Sequence, residues 1–250
     1  MNMRYKIIDE IRGITLISMI LYHGIWDLVY IFEWNLEWFR GQGAYLWQQS
    51  ICWMFILLSG FCWSLGRKKC KRGLIVFGAG ILISTATILI MPKERIIFGI
   101  LTLLGSCMLL MIPLEQILKK IKPEIGIVGS ILLFVGVRNI NKGYLGIQEI
   151  FVWNLPSEWY YNYATTYLGF PTDTFFSTDY FSLFPWLFLF VAGYYVYRLL
   201  DKRKKMEVLL NVKTMFPPLG KIGQNSLLIY LGHQPVIYGI LMIVNVFWGQ

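Results

Sequence analysis

Apolar stretches close to the length of a membrane crossing recur along the whole 250-residue chain, and this spacing limits the possible folds more than any other feature. A helix rising 1.5 Å per residue needs about 20 residues to cross about 30 Å of hydrocarbon. Seven stretches qualify, at roughly 8–32, 44–66, 73–91, 96–113, 124–137, 179–200 and 224–247, the fifth being short for a full span. A hydrophobic fraction of 56% and a charged fraction of 15% agree with this, although composition alone would also fit an apolar soluble enzyme. The predicted fold is an all-α polytopic membrane protein, a bundle of about seven transmembrane helices forming a single domain over 1–250.

Charge sets the expected orientation. Lys and Arg concentrate on the cytoplasmic side of short loops. With an N-terminus in the cytoplasm, seven spans leave only Arg40, Lys93, Arg95, Arg138 and Lys142 of the 23 basic residues outside. Clusters such as Arg67–Arg72 and Arg198–Lys205 then lie against anionic headgroups, and the C-terminus lies outside. The net charge of +9 is thereby explained by topology and lipid, with no nucleic-acid partner expected.

No cleavable signal peptide is expected, because the first apolar stretch is too long for a signal core and no small-residue cleavage site follows it. The four cysteines, Cys52, Cys62, Cys70 and Cys107, show no metal-ligand spacing. No HxxxH or HExxH pair, Walker loop or dinucleotide fingerprint is present, so no metal is expected. No internal repeat gives two matching halves of the kind many transporters have. The segment of roughly 138–178 is dense in Trp and Tyr, which suits an interfacial belt or a lid. A loop of that length is expected to fold in part into short interfacial helix.

Ionisable groups at bilayer depth cost on the order of 2.5–3.5 kcal/mol each on insertion scales, so each needs a reason. The first span carries Asp9, Glu10, Arg12, His23 and Asp27. At 100° per residue, Asp9, Arg12, His23 and Asp27 fall on one stripe, with His23 and Asp27 one i,i+4 step apart. That stripe should face protein. Arg12 sits near the cytoplasmic end and His23 about 16 Å further out. Structural roles are open for both: Arg12 as a snorkelling anchor paired with Asp9, and His23 as a core histidine bonded to Asp27 or Tyr22. The last span adds Asn225, Ser226, Tyr230, His233 and Gln234, followed by Pro235, which frees a backbone carbonyl.

These residues resemble a known family. Arg4-Tyr5-Lys6-Ile7-Ile8-Asp9-Glu10-Ile11-Arg12-Gly13, followed by Leu21-Tyr22-His23 and the run to Asp27-Leu28, resembles the first helix of membrane-bound acyltransferases. The branch it is most similar to is the heparan-alpha-glucosaminide N-acetyltransferase catalytic-domain family, in a short bacterial form. Leu168-Gly169-Phe170-Pro171, Ser177-Thr178-Asp179-Tyr180-Phe181 and the stretch from Gly223 to Pro235 carry the likeness through nearly the whole chain. Arg and His at ten residues' separation form a loose pattern, which the other stretches make more specific. The chain is shorter than the lysosomal enzyme and has fewer spans.

The resemblance implies a multi-pass enzyme of the bacterial plasma membrane that moves an acetyl group from cytoplasmic acetyl-CoA to a carbohydrate acceptor. It implies that Arg12 meets the anionic end of the cofactor. His23 would act as general base or as nucleophile, with Asp27 orienting the ring as the third member of a triad does. Asn225, Tyr230 and His233 are candidate cofactor-binding residues, and Asp179 is a weaker candidate at the mouth of the sixth span. A transporter or channel for a small polar solute would also place polar residues along one helix, and a non-catalytic scaffold is a third reading.

Overall fold

The computed structural model describes residues 4–147 and 150–248. In chain order its helices are α1 (Lys6–Tyr30), α2 (Gln42–Trp63), α3 (Lys69–Ile90), α4 (Ile100–Leu118) and α5 (Pro123–Gly136). A hairpin of β1 (Tyr144–Ile147) and β2 (Phe151–Asn154) follows. Then come α6 (Tyr163–Leu168), α7 (Leu183–Lys202), α8 (Lys205–Asn211), α9 (Pro217–Gln224) and α10 (Ser226–Trp248).

Among the described residues, six helices are long and apolar enough to cross a membrane: α1, α3, α4, α5 with its continuation to Lys142, α7 and α10. Bare apolar surface that suits lipid better than water includes Leu82 and Leu89 on α3, Leu132 on α5, and Leu228 and Val246 on α10. The protein is therefore an all-α polytopic membrane protein, as its sequence predicts. The seventh expected span corresponds to α2, which matches the others in length.

The chain forms two compact units, and the boundary falls inside α2. One unit runs to Phe55 and resumes at Lys204; the other spans Ile56–Arg203. In the first, α1 packs along α9 and α10. The α1–α9 contact is backbone on backbone. A Cβ on Gly13 would lie 2.1 Å from the Leu219 carbonyl oxygen, and one on Gly223 would lie 1.9 Å from that of Asp9. Only glycine allows such an approach. Leu16, Met19 and Ile51 form the adjoining core, lined by Trp47, Ile222, Ile229 and Tyr230. The Trp47 indole donates to Ser18 Oγ at 2.8 Å.

In the second unit α3 pairs with α4, and α5 with α7. Arg198 of α7 closes the end of α4: its guanidinium donates to the carbonyls of Leu118, Lys119 and Ile121 at 3.0–3.1 Å. A cation on the last carbonyls of a helix satisfies orphan acceptors and opposes the dipole. The 138–178 segment folds into the hairpin and the one-turn-and-a-half helix α6. Asn162 caps α6 in a reciprocal pair with Thr165. Asn141 ties the segment down, donating to Gly169 O and Ser182 Oγ, each at 3.0 Å. Phe98, Tyr163, Tyr167, Phe175 and Tyr180 stack into one aromatic group. The segment is thus short helix in part, as expected, and two-stranded hairpin in part, which its aromatic content concealed.

Candidate functional site

The polar ridge of α1 turns toward protein. Asp9, Glu10 and Asp27 are buried, and Arg12 and His23 are half-buried. Ile14 and Leu21 occupy the opposite, exposed face. All the sequence-predicted site residues except Asp179 lie in the first unit, on α1, on α10 and at the junction before α10.

The N-terminal end of the ridge is an ion cluster. Asp9 accepts from Arg4 Nε at 2.6 Å and from Arg12 Nη1 at 3.3 Å. Two guanidinium groups on one carboxylate leave a net single positive charge. Arg12 Nη1 also lies 3.4 Å from the Gly223 carbonyl, in the last turn of α9. Glu10 serves the other end of that helix. Its Oε1 accepts from Phe216 N at 3.0 Å and its Oε2 from Met215 N at 3.3 Å. Pro217 and Pro218 have no N–H to offer, so Glu10 takes the two donors immediately before them. The short helix α9 thus carries a carboxylate at its positive end and a guanidinium at its negative end.

Further along α1, the His23 ring lies 5.0 Å, centroid to centroid, from that of His233 on α10. Tyr22 meets His23 edge-on, and the Tyr230 ring stands 5.2 Å from His233. His233 Nδ1 faces the Tyr230 carbonyl. A carbonyl only accepts, so Nδ1 carries the proton and Nε2 is left as an acceptor. His233 Nε2 is buried and has no hydrogen-bond partner among the described residues. One turn beyond His23, the fully buried Asp27 accepts from Gln234 Nε2 at 2.7 Å. That bond fixes α10 against α1 in the register that sets His233 opposite His23.

A family profile described as "Heparan-alpha-glucosaminide N-acetyltransferase, catalytic" matches residues 4–235. The chain belongs to this family. No curated protein and no solved structure matches it. The matched region takes in α1, α9 and the first half of α10, so every candidate residue of the acetyltransferase-family site lies within it.

Within this family member, the ridge residues divide into three groups. Arg12 meets Asp9, the structural partner its sequence position offers. His23 contacts Tyr22 and His233 through its ring, while Asp27 is engaged by Gln234. Asn225 sits at the junction of α9 and α10, where its side chain donates to Lys221 O at 3.0 Å, on the exposed side. Asp179 lies in the other unit, accepting from Ile100 N at 3.3 Å at the start of α4, where burial raises its carboxyl to about 6. Among the described residues no group of three or more His, Cys, Asp or Glu side chains is placed to hold a metal ion.

Four contributors escape a reading by residue type. Gln234 stands out only once α10 is set against α1. Glu10 is legible as a polar residue of the first span, but its role at α9 depends on a partner more than 200 positions away. Gly13 and Gly223 are silent until the helices touch; the only local signal is the pairing of Gly220 and Gly223 after two prolines.

Proposed function

We propose that the protein transfers an acyl group, in the simplest case acetyl, from coenzyme A on the cytoplasmic side to a sugar hydroxyl or amine, and that His23 carries the reaction. Family membership supports a transmembrane acetyltransferase. The observation that carries the residue assignment is the half-buried His23 held beside a second imidazole on a protein-facing ridge of α1.

In this reading the net positive charge of the Arg4–Asp9–Arg12 cluster receives the phosphates of the donor, since charge-assisted bonds from guanidinium to phosphate are strong and directional. The pantetheine arm reaches along α1 toward His23, about 16 Å away. His23 then removes the proton of the acceptor hydroxyl or amine as that oxygen or nitrogen attacks the thioester carbon. Alternatively, the ring itself attacks and carries the acyl group. Either route breaks the C–S bond and releases CoA thiol. Asp27 acts through Gln234 in fixing the two helices, and Tyr230 and His233 border the histidine. Asn225, at the α9–α10 junction, lies toward the Arg12 end, on the side proposed for the cofactor.

The test uses purified full-length protein in detergent, with thiol release from acetyl-CoA in the presence of glucosamine as probe acceptor. Wild type releases CoA, and His23→Ala lowers the rate by about 10²-fold or more, the range for loss of a positioned acid–base group. Arg12→Ala weakens donor binding with little change in the rate at saturation. Equal rates for wild type and His23→Ala would remove His23 from the chemistry.

A further inference from the structure

We infer that His233 is the proton relay of the site, a second catalytic imidazole that takes the proton His23 must lose. The inference rests on the acyl-transfer reading above and adds a role for the last helix. Whichever route His23 follows, it becomes cationic. As a general base it ends as an imidazolium after removing the acceptor's proton. As a nucleophile it ends as an N-acylimidazolium, which must shed its remaining N–H proton to become the neutral acyl carrier. In both cases one proton leaves the ring nitrogen that does not face the substrate.

His233 meets the requirements for receiving that proton. Its Nδ1–H is committed to the Tyr230 carbonyl, so its tautomer is fixed and Nε2 is the basic atom. That atom is buried and without a partner among the described residues, so a donor is missing from its surroundings. An acceptor buried in this way costs about 1–3 kcal/mol, which a structural histidine would avoid by donating or accepting at both nitrogens. The two rings lie 5.0 Å apart. Two imidazoles joined by an N–H···N bond of about 3 Å have nearly this centroid separation, so the spacing of the two rings suits a direct bond between them. The Asp27–Gln234 bond at 2.7 Å holds the register in which this is possible.

The transfer balances. In either route the proton on the His23 nitrogen remote from the substrate passes to His233 Nε2, the acceptor proton staying on the substrate-facing nitrogen in the general-base route, and His233 becomes an imidazolium with Nδ1–H still on Tyr230 O. When the C–S bond breaks, the pair returns one proton to the CoA thiolate. Other titratable groups on the elements packed here are Tyr22 and Asp27 of α1, Cys52 of α2 and Tyr230 of α10. None of the four offers a second neutral imidazole.

The chain has only two histidines, which makes a direct test practical. Full-length protein labelled with 15N-histidine is followed by NMR in detergent, alongside His23→Gln and His233→Gln variants, each of which keeps a hydrogen-bonding amide but takes no proton. The expected result is a His233 ring in the Nδ1–H tautomer, with the titration of each histidine displaced when the other is removed. In thiol-release assays, His233→Gln is expected to lower kcat about ten- to a hundred-fold with little change in KM for acetyl-CoA, less than the loss from His23→Ala. An Nε2–H tautomer, or two histidines that titrate independently, would overturn the relay. So would an unchanged kcat in an enzyme whose wild type releases CoA. If wild type releases no CoA while the histidines still titrate together, acyl transfer fails and takes the relay with it, leaving a coupled pair of another purpose.

Discussion

Gly13→Ala should destabilise the protein through one contact whose geometry sets the size of the effect. A Cβ on Gly13 would stand 2.1 Å from the Leu219 carbonyl oxygen, where ordinary contact begins at 3.4 Å. The obstacle is the backbone of α9, which cannot swing aside as a side chain can, so α1 and α9 must part by more than 1 Å. Separation stretches the Glu10 bonds to Met215 and Phe216 and the Arg12 contact with Gly223 O. Overpacking of this kind costs about 1–3 kcal/mol. Against it stands the advantage of alanine over glycine in a helix interior, about 1 kcal/mol. Gly78 on α3 supplies the control, because nothing lies within 4 Å of a Cβ built there. Gly78→Ala should therefore hold or gain stability, and the difference between the two variants isolates the clash. Cys52, Cys62 and Cys107 are buried thiols, so thermal unfolding in detergent can be followed by a thiol-reactive dye. Gly13→Ala is expected to melt several degrees below Gly78→Ala. Equal melting of the two variants would refute the backbone contact between α1 and α9.

Two further outcomes follow from the same geometry. Glu10→Ala removes two charge-assisted bonds at the entry to α9 and should cost about 2–4 kcal/mol, with hydrogen exchange rising first at Phe216 and Leu219; unaltered exchange there would show that Glu10 does not hold the helix start. Asp179 titrates at about 6 in the folded protein against an ordinary 3.8, because burial disfavours its charged form. The folded state thus keeps a proton that the unfolded state releases, and this contribution to stability falls as pH rises from about 4 to 6. Asp179→Asn should flatten that decline, and an unchanged slope would place the carboxylate in water.

Apolar length made the membrane fold readable, since a continuous apolar run of about 20 residues satisfies its backbone groups across hydrocarbon as a helix. It marked the stretch 44–66 as well, which folds as the helix α2. Helical periodicity placed Asp9, Arg12, His23 and Asp27 on one ridge, and the exposed Ile14 and Leu21 mark its opposite face. What periodicity could not supply was the partner of each group. Asp27 meets Gln234, Glu10 meets the start of α9, and His23 meets His233, all across more than 200 residues. Helix α9 was hidden for a related reason. Its eight residues, Pro217–Gln224, hold two prolines and two glycines, a composition that reads as a turn until α1 is laid against it.

The most direct measurement places labelled acetyl-CoA and glucosamine on opposite sides of proteoliposomes that carry either the full-length wild-type protein or His23→Ala. Transfer of label to glucosamine by wild type, reduced about 10²-fold or more in the variant, is the expected result. Label that reaches the sugar equally well without the imidazole, or glucosamine that crosses unmodified with the thioester intact, would contradict acyl transfer by His23.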